Sequence, residues 1–411
     1  MSDSLPRSPL APQTFPELPV IPGLRLSAGA AGVKYQGRDD VMLAVMAPGT
    51  TVAGTFTRSK TRSAPVRDCQ EKLAKSDGTS SAGAAILVNS GNSNAFTGHY
   101  GQTSVAEISA AVADITGLPE ARIFTASTGV IGEPLPHERI ISQIESLNAG
   151  LSETALQAAA KAIMTTDTFA KGASAKITIE GEVVSIAGIA KGSGMIAPDM
   201  ATMLVYIFTD AKIPQAALQA ELSRLCDLSF NCITVDSDTS TSDSLMLCAT
   251  GASGVEVTGS AEFSQALQAV MLDLAHQVVR DGEGATKFVE IQITGAACDA
   301  EAKVHGLAIA NSPLVKTAIA GEDPNWGRIV MAIGKSGAEA DRDLLSISFG
   351  DVLVAEKGWV SPSYREEDGA AQMRRDEITI KVDLGLAAGK STVWTCDLTH
   401  QYITINADYR S

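Results

Sequence analysis

Near the middle of the chain stands Lys191-Gly-Ser-Gly-Met195-Ile-Ala-Pro198-Asp-Met200-Ala201-Thr202-Met203-Leu204, and the reading of this stretch governs the rest. A glycine-rich turn leads to a small residue, then a hydroxyl residue, then at once a short apolar run over 203–208. That run holds Val and aromatic side chains, which predicts a buried strand. A threonine hydroxyl is a weak nucleophile at neutral pH. It is better activated when the threonine begins a chain, because its own α-amino group, with a pKa of about 8, is then a base on the same residue. Thr202 would reach that state if its hydroxyl attacked the preceding carbonyl and the Ala201–Thr202 bond were lost by an N-to-O acyl shift and hydrolysis. Gly192 and Gly194 would permit the strained turn this needs. The plainer alternative is a glycine-rich connection running into an ordinary strand, with Thr202 a simple β-former.

Outward from this point, helices and strands interleave. Ser104 and Glu107 have the spacing of a capping box. Val105, Ile108, Val112 and Ile115 then recur at helical intervals until Gly117 and Pro119. A second helical stretch passes through Ile140, Ile144 and Leu147, and an Ala-rich third covers about 152–164. Stretches 177–179 and 183–189 flank Glu180-Gly-Glu182 as a hairpin. Leu218, Leu222 and Leu225 mark one helix, and Phe263, Leu267, Val270, Leu274 and Val278 a longer one ended by Gly282. Val289, Ile291 and Ile293 alternate as a strand. Stretches 378–382 and 392–396 predict one more hairpin, and 402–405 a last strand. The first twenty residues, proline-rich with few apolar anchors, predict a loose arm. The class is mixed α and β.

Composition narrows the function. Lys and Arg total 32 against 47 Asp and Glu, a formal charge of −15, which repels nucleic acid and anionic membranes. Nothing approaches the length of a membrane span. The six cysteines form no CxxC pair, and no secretion signal opens the chain, so an intracellular, cytoplasmic protein is expected. Several signatures fail. Gly385 and Gly389 before Lys390-Ser391 lie too close for a phosphate loop and join two strands. His137-Glu138 lacks the second zinc-binding histidine. No G-x-S-x-G elbow occurs, and Asp236 and Asp238 lack the Gly and Glu of a calcium loop. What remains is a set of Gly-, Ser- and Thr-rich loops and no obvious histidine triad. An enzyme with this sequence would use a hydroxyl nucleophile activated by something other than histidine.

Stretch 191–204 resembles the processing-site segment of the ornithine acetyltransferases, also called glutamate N-acetyltransferases, of arginine biosynthesis. Seven further blocks agree in order: Val88-Asn-Ser-Gly-Asn-Ser-Asn94-Ala, Thr125-Ala-Ser-Thr128-Gly129-Val-Ile-Gly132, Met164-Thr165-Thr166-Asp167, Thr234-Val-Asp236-Ser-Asp238-Thr-Ser, Asp281-Gly-Glu283-Gly-Ala-Thr286-Lys287, Asp323-Pro-Asn325-Trp326-Gly327-Arg328 and Asn406-Ala-Asp408-Tyr409. They span nearly the whole chain. Ser237 stands where a glycine is expected.

The resemblance implies an α+β fold, a layered helix–sheet–sheet–helix sandwich shared with self-cleaving aminopeptidases, with a second α/β lobe. It implies an α chain, 1–201, with the flexible arm 1–20, and a β chain, 202–411, that remain associated because the 203–208 strand lies in a core formed by both. An α2β2 assembly would follow. Thr202 would be the nucleophile of self-cleavage and of acetyl transfer from N-acetylornithine to glutamate. Acetyl-CoA stands as a further possible donor. Thr128 and Gly129 match the oxyanion hole, although a Ser/Thr/Gly turn after a strand looks the same. Lys191 and Glu283 match substrate contacts, a cation for carboxylate and an anion for amine. Glu283 lies past the end of a long helix, where the dipole disfavours a negative charge; a solvated helix end is the plain alternative. Thr165 matches another contact and also reads as a helix cap. Asn406 and Ser411 match contacts at a chain end that ordinarily frays. The acidic loop 236–244 reads as support. No metal or cofactor is implied. A self-cleaving aminopeptidase, which passes the acyl group to water, is the competing enzyme, and a silent metabolite-binding protein the competing non-enzyme.

Overall fold

The computed structural model describes residues 6–76, 78, 81–197 and 203–407. These residues form three sheets. The first is ordered β1-β2-β4-β5: β1 Leu24–Gly29, β2 Val41–Met46, β4 Ala84–Asn92 and β5 Ile123–Val130. The second is ordered β3-β9-β8-β7-β6: β3 Thr51–Phe56, β6 Lys171–Ile179, β7 Glu182–Lys191, β8 Leu204–Thr209 and β9 Ser244–Ala249. The third belongs to a C-terminal lobe and runs β13-β12-β11-β14-β10-β15: β10 Phe288–Ala296, β11 Ser346–Phe349, β12 Val352–Glu356, β13 Trp359–Val360, β14 Glu377–Asp383 and β15 Gly389–Cys396.

The period-2 alternation of the strands distributes their side chains between cores. On β2 and β4, Met42, Ala44, Ile86 and Val88 face Ala187, Ile189, Tyr206 and Phe208 of the second sheet. Val41, Leu43, Ala85 and Leu87 face the other way, onto helices α2 Gly98–Thr116, α3 His137–Ile141 and α4 Ile144–Ala149. Ile186, Val205, Ile207 and Leu247 on the second sheet's far face meet α6 Gln215–Asp227 and α7 Ala261–Arg280. The result is the expected helix–sheet–sheet–helix stack. Helices α1 Ala64–Lys75 and α5 Leu156–Ala162 pack into the core between the two sheets. Ser260 caps α7 by accepting the Phe263 N–H at 3.2 Å. The third sheet continues the α7 core and carries α8 Asp299–Ala310, α9 Pro313–Ala320, α10 Trp326–Gly334 and α11 Glu366–Met373, and α12 His400–Asn406 follows its last strand.

Six local expectations are corrected. Ser104 and Glu107 lie inside α2, which begins at Gly98; the Ser104 hydroxyl donates to Tyr100 O at 2.9 Å. The helix over 140–147 is two short ones, α3 and α4, and the Ala-rich helix is confined to α5. Strands β14 and β15 do not pair; both flank β10, parallel on one side and antiparallel on the other. The 402–405 stretch is part of α12, whose residues are all at least partly exposed, so it carries no buried pattern for sequence to reveal. From residue 6 the N-terminal arm is fastened: the Ser8 N–H donates to Thr168 Oγ1 at 2.9 Å, and Phe15 and Leu18 pack against the inter-sheet core.

Candidate active site

Strand periodicity brings the first two site residues together. Ala187 and Ile189 of β7 face the space between the two stacked sheets, so Lys191, two residues on, shares their side. Phe124 and Ala126 of β5 face the same space from across the stack, and Thr128 follows them. There the Lys191 ammonium donates to Thr128 Oγ1 at 3.1 Å. Beside this contact opens a cleft of about 340 Å³. Thr128, Gly129, Thr165, Lys191, Glu283 and Asn406 all line it, though they come from widely separated parts of the chain.

Two glycines are set by close approach. Gly129 has φ +130°, and a Cβ there would lie 2.3 Å from the carbonyl carbon of Gly91 on the paired strand. A Cβ on Gly194 would lie 2.4 Å from the Glu283 carboxyl, so the bare backbone lets that carboxyl lie against the glycine-rich turn. The Asn406 amide donates to Glu283 Oε2 at 2.6 Å, which ties α12 to the cleft. Burial raises the Glu283 pKa above the usual carboxylate range, while the hydrogen bonds from Asn406 and Thr166 pull it back. Burial lowers the Lys191 pKa, and the nearby Asp167 carboxylate opposes that shift.

Six of the sequence-derived site residues therefore share one cleft. Ala201, Thr202 and Ser411 lie outside the described residues; Met203 and Leu204, which follow Thr202, line the cleft wall. The acidic loop splits in two. Asp236 braces the glycine-rich turn, accepting the N–H groups of Met195 and Ile196 at 2.6 and 2.8 Å. Ser237, where glycine was expected, adopts the left-handed φ of +66° that a glycine would take without strain. Asp243 lines the cleft itself; it is 3% exposed, its Oδ2 has no hydrogen-bond partner, and burial drives its pKa well up.

Sequence reasoning passed over a second buried group. Lys171, wholly buried, donates to Asp167 Oδ1 and Asp281 Oδ2, each at 2.6 Å. Both aspartates stood inside quoted blocks, and their signal was a charge set among glycines and hydroxyls. The structure also assembles a serine, a histidine and a carboxylate: His137 contacts Ser104 Oγ at 3.0 Å and Glu107 Oε2 at 2.8 Å. With Ser104 wholly buried and its proton given to Tyr100 O, this group fastens α2 to α3 and offers no nucleophile.

Among the described residues, no helix is long and apolar enough to cross a membrane. The facing sheets carry a cleft of hydroxyls, glycine backbone, one lysine and two buried carboxyls, Asp243 and Glu283, and the family to which the chain belongs makes it an acyl-transferring enzyme. The chain belongs to the ArgJ family, whose model matches residues 25–411. It is 76% identical over 404 residues to the arginine biosynthesis bifunctional protein ArgJ of Ruegeria pomeroyi, covering 98% of each chain. It is 54% identical to the ArgJ protein of Gluconobacter oxydans, covering 100% of this chain and 97% of that one. The crystal structure of the Bacillus halodurans ArgJ protein is 42% identical with a TM-score of 0.49, covering 51% of this chain and 100% of that chain.

Proposed function

We propose that this protein transfers an acetyl group from N2-acetyl-L-ornithine to L-glutamate in the cytoplasmic arginine pathway, in two steps through an ester on Thr202. The hydroxyl of Thr202 attacks the acetyl carbonyl while the residue's own α-amine takes the proton. Thr128 Oγ–H and the Gly129 N–H receive the oxyanion, a contribution of roughly 2.7–4 kcal/mol per donor. Because Lys191 already donates to Thr128 Oγ1, the hydroxyl proton is directed elsewhere and is free for the oxyanion. The C–N bond breaks, ornithine leaves with the proton, and the glutamate amine attacks the ester to restore Thr202. Lys191 holds a substrate carboxylate and Glu283 a substrate amine, with Thr165, Asn406 and Ser411 as further contacts. The reading requires cleavage between Ala201 and Thr202, fragments 1–201 and 202–411 in an α2β2 assembly, and leaves acetyl-CoA as an alternative donor.

One observation carries this reading: six residues chosen by resemblance, distant in sequence, line a single cleft. The purified protein is incubated with N-acetylornithine, with and without glutamate. Ornithine and N-acetylglutamate should appear together only when glutamate is present, and acetyl-CoA in place of acetylornithine tests the second donor. Acetate released at the same rate without glutamate refutes transfer. Denaturing electrophoresis should show two fragments, the second beginning Thr-Met-Leu-Val, and Thr202→Ala should stay whole and inactive.

A further inference from the structure

We propose that the buried Asp167–Lys171–Asp281 triad is the positioning device of this cleft, and that Asp167 is the residue through which it acts on Lys191. The Asp167 carboxylate serves both walls. Its Oδ1 accepts the Gly192 N–H at 2.7 Å, one residue beyond Lys191, and its Oδ2 accepts the Thr165 N–H at 2.9 Å. Lys171 bridges Oδ1 to Asp281, whose carboxylate accepts the Thr168 N–H at 2.9 Å. The Asp281 carbonyl accepts the Ser193 hydroxyl at 2.6 Å, and the Ser193 carbonyl accepts the Glu283 N–H at 3.0 Å. One ionic group thus fixes Thr165, the turn after Lys191 and Glu283 relative to one another.

It also sets the charge that faces Lys191. The groups acting on that ammonium are Asp167, Lys171, Asp243 and Glu283, with Thr128 as its hydrogen-bond acceptor. Burial disfavours the ammonium and Lys171 adds to that, whereas the nearby Asp167 carboxylate supports it. Burial would raise Asp167 itself, but Lys171 and Lys191 hold it well below the usual carboxylate range, so it stays ionised.

The significance for catalysis rests on the reading of Lys191 as a carboxylate-binding cation. A labelling readout does not. Two variants break the same triad with opposite electrostatic consequences. Asp167→Asn keeps the shape and removes the negative charge; Lys171→Met removes the competing positive charge. Each is measured two ways: the rate at which acetic anhydride acylates Lys191 against pH, read by peptide mass spectrometry, and the pH profile of kcat/KM. Asp167→Asn should move the Lys191 titration and the alkaline limb down by about one pH unit or more. KM should rise more than kcat falls. Lys171→Met should leave both where they are or move them up. If Lys171→Met does not fold, Asp281→Asn supplies the comparison: it removes the same charge, but Asp281 bonds neither Gly192 N nor Thr165 N and is not among the groups acting on Lys191, so the Lys191 titration should move less than in Asp167→Asn. Equal downward movement in both variants, or no movement in Asp167→Asn, overturns the inference. A labelling shift as expected, in a protein that transfers no acetyl group, upholds it and refutes the functional reading instead.

Discussion

Lys191 and Thr128 come from different sheets and meet across the gap between them at 3.1 Å, the lysine donating and the threonine oxygen accepting. This contact joins the charge proposed to hold the substrate to the hydroxyl proposed to receive the oxyanion.

Removing that hydroxyl should be costly and its restoration simple. Thr128→Ala should lower kcat by about 10²–10³, the loss typical of one oxyanion donor. Thr128→Ser, which keeps the oxygen, should recover most of the rate in steady-state assays.

Gly129→Ala should cost more than rate. The new methyl would meet the Gly91 carbonyl carbon at 2.3 Å, so the β4–β5 ladder must part. A lower melting temperature together with near-complete loss of transfer is expected. A variant with unchanged melting would contradict the close approach.

Asn406→Ala should move the acid limb of kcat/KM upward. Burial raises Glu283, and the Asn406 hydrogen bond stabilises its ionised form. Without that donor the carboxyl holds its proton to higher pH, so substrate amine binding fails earlier on acidification. Glu283→Gln should abolish the limb, as a pH series would show.

Asp243→Asn tests a buried carboxyl through stability. Burial raises its folded pKa, so the folded state binds the extra proton and wild-type stability declines as pH rises above the ordinary aspartate range of about 4. The neutral amide has no such decline. The variant's melting temperature, relative to wild type, should therefore climb by about 2 °C or more between pH 4 and pH 8. A constant difference would refute it.

Ser104→Ala should leave transfer intact, because the serine–histidine–glutamate group lies apart from the cleft-lining residues and its serine is wholly buried. It should lower stability by about 1 kcal/mol through the lost hydrogen bonds, measurable by denaturant titration.

Local periodicity made α6, α7 and the β6–β7 hairpin readable, because each buries a regular face against a neighbour close in sequence or a single sheet. It failed where pairing is long-range. Nothing near β14 or β15 announces that β10, which starts 89 residues before β14, lies between them. It failed also at α12, where Ile403 is exposed and no apolar face exists to be counted. Ser104 and Glu107 imitate a helix start because the true first turn, from Gly98, is polar and carries no capping hydrogen bond. The cleft was legible through resemblance in six of its lining residues. Asp167, Lys171 and Asp281 were not singled out because a buried ion triad has no spacing rule: its members meet only after β6, α7 and the 164–168 turn have packed.

The order β3-β9-β8-β7-β6 has a mechanical outcome for a molecule severed after residue 201. Strands β8 and β9 would belong to one piece, while β3 on one flank and β7 with β6 on the other would belong to its companion. Each piece would leave bare strand edges that only the other satisfies. Co-expressed halves should therefore reassemble, whereas either half produced alone should be found in inclusion bodies.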